Sequence, residues 1–257
     1  MTYLIISDIH ANLEALDATL AAAGHYDRVL VLGDLIGYGA DPNAVIARVR
    51  ALDNMTIIRG NHDKVGAGLD DVESFNYTAR QAIAWTSSVL TDYNRAWIAE
   101  LPAGPALVDK TVEICHGTPF DEDVYIFDDL DALRSLRTAR RPLCLFGHTH
   151  VPALFRLGLP LGEQNSNARN ERELDSIEVG HGGSFSVALD ADSQYLVNCG
   201  AVGQPRDSDR RAAYGFFDTD SRIVTIKRTG YDVAAAQAKI VAAGLPEVLA
   251  QRLAVGR

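Results

Sequence analysis

The stretch Tyr3-Leu4-Ile5-Ile6-Ser7-Asp8-Ile9-His10 decides how the chain folds. Its first four residues are an apolar run, which is typical of a β-strand buried on both faces. Asp8 and His10 follow the run and are separated by one residue. The stretch therefore predicts a buried strand whose carboxyl end carries two side chains that can bind a ligand.

Four later apolar runs, at 28–32, 55–58, 111–114 and 143–146, repeat this arrangement. They lead into Gly33-Asp34-Leu35-Ile36-Gly37, Gly60-Asn61-His62-Asp63, Cys115-His116-Gly117 and Gly147-His148-Thr149-His150. Helical patterns that begin near Asn12 and Asp41 separate the first of these strands, which indicates an α/β fold. Ligand sites of open α/β sheets lie beyond the carboxyl ends of the strands, so the five strand ends are predicted to share one site.

The second half of the chain is richer in strands than in helices. Strand patterns lie at 151–156, 184–189, 195–198, 213–217 and 223–228, and amphipathic helical patterns at 232–243 and 246–254. Residues 75–101 favour one or two helices, residues 128–137 a further short helix, and the polar residues 162–175 an exposed loop. The sequence contains no internal repeat or long linker, so one domain is predicted over 1–257, with an inserted helical segment at about 70–101.

The composition is that of a globular protein. Of the 257 residues, 47% are hydrophobic and 23% are charged. No apolar run approaches the ~18 residues of a transmembrane helix, and the N-terminus lacks the basic region of a signal peptide. The three cysteines, Cys115, Cys144 and Cys199, form no disulfide framework. These features predict a cytoplasmic protein with no membrane partner.

The formal net charge of −10 limits the kinds of substrate. An acidic surface repels phosphate backbones, which disfavours long nucleic acids as partners. Bound divalent cations would reverse the sign of the field inside a pocket without reversing the net charge of the protein. A small phosphate ester is therefore compatible with the sequence.

Histidines concentrate at the strand ends. Five of the seven lie there, whereas His25 and His181 lie elsewhere and are assigned to the surface or to loops. A single Asp or His after a strand is usually a turn residue, but this concentration of His, Asp and Asn without a Cys-x-x-Cys pair favours a metal site. About seven donors exceed the needs of one ion, so two ions that share a carboxylate fit better. Cys115 is expected to point into the core, away from the side chain of His116.

These blocks resemble the motifs of a known family. Asp8-x-His10, Gly33-Asp34-x-x-Gly37, Gly60-Asn61-His62-Asp63, His116 and Gly147-His148-x-His150 resemble, in order and spacing, the motif set of the calcineurin-like metallophosphoesterases. Residues 198–206 are more weakly similar to the Asn-Pro-Gly-Ser-Val-Gly-Gln-Pro-Arg stretch of small prokaryotic phosphodiesterase-like members, with Cys199 in place of that Pro and Ala201 in place of that Ser. The resemblance implies two facing mixed β-sheets flanked by helices, in a four-layer sandwich.

The resemblance also implies roles for individual residues. Asp8, His10, Asp34 and His150 would hold one ion, and Asp34, Asn61, His116 and His148 would hold the other, so that Asp34 bridges the two. His62 would be a catalytic residue that faces the scissile phosphate, and Asp63 would orient its ring and raise its pKa. Asn61, His62 and Arg206 would contact the substrate. Histidine and carboxylate ligands suit Mn, Fe, Zn, Ni or Co.

Two features leave alternatives open. Arg206 either binds a phosphate oxygen or forms a surface ion pair with Asp207 or Asp209. Aromatic side chains between and after the motifs either line a substrate pocket or pack the inserted helices onto the sheets. They are Phe75, Tyr77, Trp85, Trp97, Phe120, Tyr125 and Phe127.

The predicted function is hydrolysis of phosphate esters with two divalent metal ions. A hydroxide that bridges both ions would attack the phosphorus of a phosphodiester, or of a phosphomonoester, while His62 protonates the leaving oxygen. One alternative is a non-catalytic metal-binding adaptor on the same fold, and another is a metal-dependent nuclease acting on short substrates. The presence of His62 and of every expected ligand favours the enzyme.

Overall fold

Each of the first apolar runs forms a strand in one of two sheets. The computed structural model describes residues 1–158, 172–180 and 182–257. The strands are β1 (Thr2–Ile6), β2 (Arg28–Val31), β3 (Met55–Ile57), β4 (Ala106–Leu107), β5 (Val112–Ile114), β6 (Leu143–Phe146), β7 (Ala153–Gly158), β8 (Glu173–Ile177), β9 (Ser184–Ala188), β10 (Gln194–Asn198), β11 (Ala212–Asp218) and β12 (Ile223–Thr229). The helices are α1 (Leu13–Ala23), α2 (Pro42–Arg50), α3 (Asn61–Gly66), α4 (Tyr77–Val89), α5 (Asp92–Ala99), α6 (Asp129–Thr138), α7 (Val233–Ala242) and α8 (Glu247–Val255).

Both sheets have six strands and mix parallel with antiparallel pairs. The strand order is β3-β2-β1-β11-β12-β9 in the first sheet and β4-β5-β6-β10-β7-β8 in the second. Strands β1, β2 and β3 are parallel neighbours, as are β5, β6 and β10. The remaining pairs are antiparallel. The α/β class and the two mixed sheets are confirmed.

Side chains that alternate along β1 pack on opposite faces of the first sheet. Tyr3 and Ile5 belong to a buried cluster that also contains Leu145 of β6 and Val197 of β10. Because these two strands lie in the second sheet, the sheets face each other across this cluster. The apolar run of β1 is therefore continuous because both of its faces are covered.

Helices cover the outer faces of the two sheets. Leu4 and Ile6, on the other face of β1, share a buried cluster with Leu16 of α1 and Leu249 of α8. Leu136 of α6 belongs to a third cluster, which contains side chains of β6 and β10 from the second sheet. The order of layers is helices, sheet, sheet and helix, which confirms the four-layer arrangement.

Helix α1 begins and ends at residues that cap helices, whereas Asp41, which precedes α2, makes a tertiary contact instead of a cap. The side chain of Asn12 accepts a hydrogen bond from the main-chain N–H of Ala15 at 3.1 Å, and α1 ends at Gly24, whose φ is 65°. Asp41 precedes α2 but makes no capping hydrogen bond with its side chain. Its carboxylate instead accepts a hydrogen bond from Nζ of Lys239 at 2.6 Å. This contact ties α7 to the loop that precedes α2.

The sequence patterns do not predict β4, β8 or α3. Residues 173–175, predicted as part of an exposed loop, belong to β8, which pairs antiparallel with β7. Strand β8 is at the edge of its sheet, so its polar sequence Glu-Leu-Asp-Ser-Ile gives no apolar run. Residues 162–171 of the predicted loop, and His181, lie outside the described residues. The single domain over 1–257 stays a prediction.

Three smaller expectations can be compared with the structure. The side chain of His25 is 90% exposed, as a surface residue should be. Cys115 is buried in the core, with its sulfur 3.6 Å from that of Cys144. Among residues 1–158, 172–180 and 182–257, no helix has the length and apolar character needed to cross a membrane.

Leu30 of β2 provides a test of the layer between the two sheets. We expect Leu30→Ala to lower the free energy of unfolding by about 2–5 kcal/mol, because the lost side chain leaves a cavity in a buried cluster. Leu107→Ala removes the same atoms from a side chain that is 44% exposed and should cost under about 0.5 kcal/mol. Urea unfolding followed by circular dichroism measures both, and equal losses would contradict the central position of Leu30.

Candidate metal centre

The candidate site lies where parallel strands of both sheets end. In the first sheet, Asp8 follows β1, Asp34 follows β2 and Asn61 begins α3 after β3. In the second sheet, His116 follows β5 and His148 follows β6. All five side chains are buried. The two sheets therefore bring donor atoms to one region from opposite sides.

Several of these residues adopt the left-handed backbone conformation. The φ angles are 54° at Asp8, 48° at His10, 54° at Asp34, 67° at His148 and 61° at His150. Asp and His enter this region more readily than most residues, but the conformation still costs roughly 1–2 kcal/mol for each. Such strain is typical of functional sites, where the surrounding structure holds it. Here the left-handed conformation turns the chain sharply after each strand and keeps the side chains inside the site.

The first group of donors consists of Asp8, His10, Asp34 and His150, whose donor atoms all lie within 4.8 Å of one another. Nε2 of His10 is 3.1 Å from Nε2 of His150. Oδ2 of Asp34 is 3.4 Å from Nε2 of His10, and Oδ1 of Asp8 is 3.4 Å from Nε2 of His150. Two carboxylates and two imidazoles are a donor set that divalent transition metals accept.

The second group of donors consists of Asp34, His116 and His148, and its donor atoms also lie within 4.8 Å of one another. Nε2 of His116 is 3.4 Å from Oδ2 of Asp34 and 3.1 Å from Nδ1 of His148. The amide oxygen Oδ1 of Asn61 is 3.2 Å from the same nitrogen of His116. Oδ2 of Asp34 thus faces both groups.

Main-chain carbonyl oxygens determine which nitrogen of each imidazole faces the site. Nδ1 of His10 lies 3.0 Å from the carbonyl oxygen of Ile36, and Nδ1 of His116 lies 2.8 Å from that of Leu32. Nδ1 of His150 lies 2.6 Å from the carbonyl oxygen of Gln204, and Nε2 of His148 lies 3.2 Å from that of Asp123. A carbonyl oxygen can only accept, so each of these nitrogens carries a proton and the other nitrogen faces the donor groups. The site-facing nitrogens of His10 and His150 are 3.1 Å apart, as are those of His116 and His148. Lone pairs on two nitrogens at this distance repel unless a cation or a proton lies between them. The residues therefore fit bound metal ions, with the carbonyls holding the rings in place.

Burial and neighbouring charge set the pKa values of these groups in the absence of a metal ion. Burial raises the pKa of Asp8 to about 6 and lowers the pKa of His10 to about 4. Burial also opposes the ionisation of Asp34, but His116 and other imidazoles outweigh it and hold the pKa of Asp34 well below its ordinary value. Burial acts to lower the pKa of His116, yet Asp34 raises it to about 10. A metal ion that bound between Asp34 and His116 would therefore displace a proton.

His62 lies beside the donors but outside both groups. Its main-chain N–H donates to Oδ1 of Asp34 at 2.9 Å. The centroid of its ring is 4.8 Å from that of His10 and 4.5 Å from that of Tyr38. Nδ1 of His62 is buried and has no hydrogen-bond partner among the described residues. Gly37, with a φ of 86°, makes room for the ring, since a Cβ at this position would collide with that nitrogen.

The prediction that Asp63 orients the ring of His62 is wrong. Oδ1 of Asp63 accepts hydrogen bonds from the main-chain N–H groups of Leu35 and Ile36 at 2.9 and 3.2 Å, and Oδ2 accepts one from Gly60 at 3.0 Å. Both residues lie on α3, and neighbouring residues of a helix do not face each other. Asp63 instead fastens the turn after β2 to the start of α3. Burial lowers the pKa of His62 to about 3, in the opposite direction to the expected shift.

Arg206 lies at the edge of the site. Its main-chain N–H donates to the carbonyl oxygen of His150 at 3.3 Å. Its Nη2 donates to Oε1 of Gln204 at 3.0 Å and to the hydroxyl of Tyr38 at 3.4 Å. The guanidinium is therefore held next to a residue whose ring contacts both His10 and His62.

The surface ion pair considered for Arg206 is absent. The carboxylate of Asp207 binds Arg228, and that of Asp209 binds Arg211 at 2.6 Å and Arg228 at 3.6 Å. Within the described part of the chain, no carboxylate lies within ion-pair distance of Arg206. Its positive charge is left available to an anion from solution.

Sequence reasoning missed several groups that shape the site. Tyr38 could have been found, because it stands between Gly37 and Gly39, directly after the motif that carries Asp34. The Nδ2 of Asn198 donates to the carbonyl oxygen of Gly147 at 2.8 Å and so supports the turn that carries His148. The carbonyls of Asp123 and Gln204 had no signal in the sequence, because every residue has a carbonyl.

Comparison with known proteins identifies a family and several similar proteins. Residues 1–222 match the family described as the calcineurin-like phosphoesterase superfamily domain. An uncharacterised protein of Methanocaldococcus jannaschii is 34% identical over 260 residues, which cover 98% of this chain and 97% of that protein. The crystal structure of a metallophosphoesterase from Sphaerobacter thermophilus is 35% identical, with a TM-score of 0.82 and complete coverage of both chains. A hypothetical protein from Pyrococcus horikoshii OT3 shares the fold, with 18% identity, a TM-score of 0.74 and coverage of 100% of this chain and 98% of that one.

The family match includes both donor groups, His62 and Arg206, since all of them lie between residues 8 and 206. The two six-stranded sheets and their flanking helices agree with the metallophosphoesterase structure over the whole chain. The protein belongs to the calcineurin-like phosphoesterase superfamily.

Proposed function

We propose that this protein hydrolyses small phosphate esters, phosphodiesters first and phosphomonoesters second, with the aid of two divalent metal ions. The observation that carries the proposal is the position of Oδ2 of Asp34, which is 3.4 Å from Nε2 of His10 and 3.4 Å from Nε2 of His116. These nitrogens belong to different donor groups. A carboxylate oxygen between two ligand sets suits a pair of ions about 3.5–4 Å apart.

The ligands divide between the two ions. Asp8, His10, Asp34 and His150 would hold one ion, and Asp34, Asn61, His116 and His148 would hold the other. When bound, the ions lower the pKa of a water molecule and offset negative charge on the phosphate. Mn, Fe, Zn, Ni and Co all suit these ligands, and the supply of each metal decides between them more than its affinity.

Other side chains act on the phosphate and on the leaving group. We assign His62 to the leaving oxygen, where its imidazole N–H stabilises developing negative charge. Proton transfer requires the imidazolium, so a bound phosphate anion must raise the pKa of His62 from the low value that burial gives it. Arg206 and the hydroxyl of Tyr38 are assigned to the non-bridging oxygens. The support for these roles is that the ring of Tyr38 contacts His10 and His62 while its hydroxyl is 3.4 Å from Arg206.

A substrate panel tests the proposed function. Bis(p-nitrophenyl) phosphate, p-nitrophenyl phosphate and a short oligonucleotide are assayed with Mn, Fe, Zn, Ni and Co in turn. We expect metal-dependent hydrolysis of the diester that a chelator abolishes and added metal restores. Cleavage of the oligonucleotide alone would favour a nuclease, and binding of metal without hydrolysis of any ester would favour a non-catalytic adaptor.

Asp34→Asn tests the shared carboxylate. The change removes a negative charge that both ions need, so we expect activity to fall by at least ~10²-fold and metal content to decrease in both sites. Asp220→Asn, at a side chain that is 88% exposed, is the matched control and should keep wild-type metal content. Elemental analysis gives the metal content, and a variant with two full equivalents and near-normal turnover would rule out the bridging role.

His62→Gln tests the role of His62 in the chemical step. We expect both ions to remain bound while turnover falls by roughly 10²–10⁴-fold, the usual range for general acid–base catalysis. The loss should be smaller for nitrophenyl esters than for alkyl esters, because nitrophenolate needs little protonation. His25→Gln is the control, at a side chain that is 90% exposed. An equal loss for all leaving groups would leave His62 only a role in stabilising charge.

Arg206→Ala tests the contact with the phosphate. Substrate and transition state share this contact, so we expect KM to rise by more than kcat falls. Arg206→Lys keeps the charge but loses the planar fork and should give an intermediate KM. Steady-state kinetics with monoester and diester substrates measure these changes. Unchanged constants for both substrates would assign Arg206 to structure alone.

A further inference from the structure

Aromatic side chains enclose the ring of His62. The centroid of the ring is 4.5 Å from that of Phe75, with the planes 36° apart, and 4.5 Å from that of Tyr38, with the planes 51° apart. The ring of His10 meets it edge-on, with the centroids 4.8 Å apart. All three distances are typical of rings in direct contact. Since His62 is only 4% exposed, these rings, rather than water, form its surroundings.

Hydrogen bonds do not fix the orientation of the His62 ring within the described ranges. Its Nδ1 is buried there without a hydrogen-bond partner, and main-chain N–H groups occupy the carboxylate of Asp63. The candidate ligands His10 and His116 differ, because a carbonyl oxygen orients each of their rings. Rotation about the bond between Cβ and the ring of a histidine has broad energy wells. The orientation of the His62 ring therefore depends on the groups that pack against it.

Phe75 is itself held in place by the inserted helical segment. Its side chain is 7% exposed and belongs to the buried cluster that contains Tyr38 and Ile83 of α4. Its main-chain N–H donates to the carbonyl oxygen of Val72 at 3.0 Å, and its own carbonyl oxygen accepts from Nε of Arg80 at 2.7 Å. Because Arg80 and Ile83 both lie on α4, that helix fixes the main chain and the side chain of Phe75.

Two aromatic residues of the inserted segment differ in what they contact. The sequence patterns leave open whether Phe75 and Trp85 line a substrate pocket or pack the inserted helices onto the sheets. Both pack against the buried cluster that includes β1 of the first sheet. Phe75 also contacts the ring of His62, whereas no ring contact joins Trp85 to His62 in the described part of the chain. Trp85 is therefore a matched control for the packing of the segment.

We propose that Phe75 is a positioning residue that holds the ring of His62 in the orientation needed for the chemical step. Nδ1 of His62 is buried against Gly37, so Nε2 is the nitrogen left for the leaving oxygen. The inference rests on the proposed phosphoesterase function and deepens it, since it gives the inserted helical segment a part in the reaction. A catalytic group displaced by about 1 Å can lose about 10²-fold in rate, so a ring without hydrogen bonds needs a firm wall.

A double-mutant cycle with the Mn²⁺-loaded protein tests the proposal. Diphenyl phosphate and bis(p-nitrophenyl) phosphate differ in the leaving group, and phenolate needs protonation more than nitrophenolate does. We expect Phe75→Leu to lower kcat for diphenyl phosphate by about tenfold, and for the nitrophenyl ester by less, with unchanged metal content. In the His62→Gln background, Phe75→Leu should lower kcat no further, because no imidazole is left to position.

Three further variants separate positioning from general damage to the fold. Phe75→Tyr keeps the ring and should recover most of the lost kcat. Trp85→Leu removes a ring that packs on the same cluster, and should leave the ratio of kcat for the two esters at the wild-type value. If Phe75→Leu does not fold, Phe75→Met, which fills much of the same volume without a ring, takes its place.

Nuclear magnetic resonance of the Zn²⁺-loaded protein separates failure of this inference from failure of the proposed function. The resonances of His62 in protein with isotope-labelled histidine are assigned by their absence from His62→Gln. We expect nuclear Overhauser contacts between the rings of His62 and Tyr38 to be lost in Phe75→Leu and kept in Trp85→Leu. If the wild type hydrolyses neither ester but this loss is observed, Phe75 positions the ring and the proposed function fails.

Two results would overturn the inference. The first is a loss of kcat in Phe75→Leu that is equally large with and without His62, since Phe75 would then support the site as a whole. The second is a Phe75→Leu variant that keeps the contacts between the rings of His62 and Tyr38, whatever its rates, since the position of the His62 ring would then not depend on Phe75.

Discussion

Imidazole nitrogens converge in a buried space, and the rest of the site is arranged around that constraint. Nε2 of His10 and Nε2 of His150 are 3.1 Å apart, and the same distance separates Nδ1 of His148 from Nε2 of His116. Burial excludes the water that would otherwise solvate these nitrogens, and the left-handed backbone of the ligand residues adds strain. A cation between the donors would offset both costs. The free energy of metal binding would then also contribute to the stability of the folded protein.

The same constraint joins the two sheets. Oδ1 and Oδ2 of Asp8, which follows β1, accept hydrogen bonds from the main-chain N–H of His148 at 3.1 and 3.2 Å. Gly147 leaves space for Ser7, because a Cβ at position 147 would collide with the hydroxyl of Ser7. The strand ends of β1 and β6 therefore approach closely without any metal. In the proposed holoprotein, each ion would take ligands from both sheets, so metal binding would strengthen a contact that the polypeptide already makes.

The sequence predicts the parts of the fold and site that depend on burial and on strand direction. The apolar runs around Leu4 and Leu30 are recognisable because central strands are covered on both faces. The grouping of Asp8 with Asp34 follows from the rule that ligand sites lie at the carboxyl ends of parallel strands, because β1 and β2 are parallel neighbours. That His116 approaches from a second, facing sheet was implied by the family resemblance. Strand β8 could not be predicted, because an edge strand needs few apolar residues and its pairing with β7 depends on a distant segment. The role that the family resemblance implies for Asp63 is wrong, because Asp63 and His62 are neighbours on a helix and their side chains do not face each other.

The supporting groups of the site differ in how strictly they constrain the sequence. The rings of His10 and His116 are oriented by the carbonyls of Ile36 and Leu32, and any residue at positions 36 and 32 would supply the same oxygen. Such support survives side-chain substitution as long as the backbone path is kept. His148 is oriented through the carbonyl of Asp123, whose backbone path is tied to the rest of the protein by the Asp123 side chain at Lys64. The loop between β5 and α6 therefore also sets the orientation of a candidate metal ligand, so its backbone path can vary only within the limits set by the position of the His148 ring.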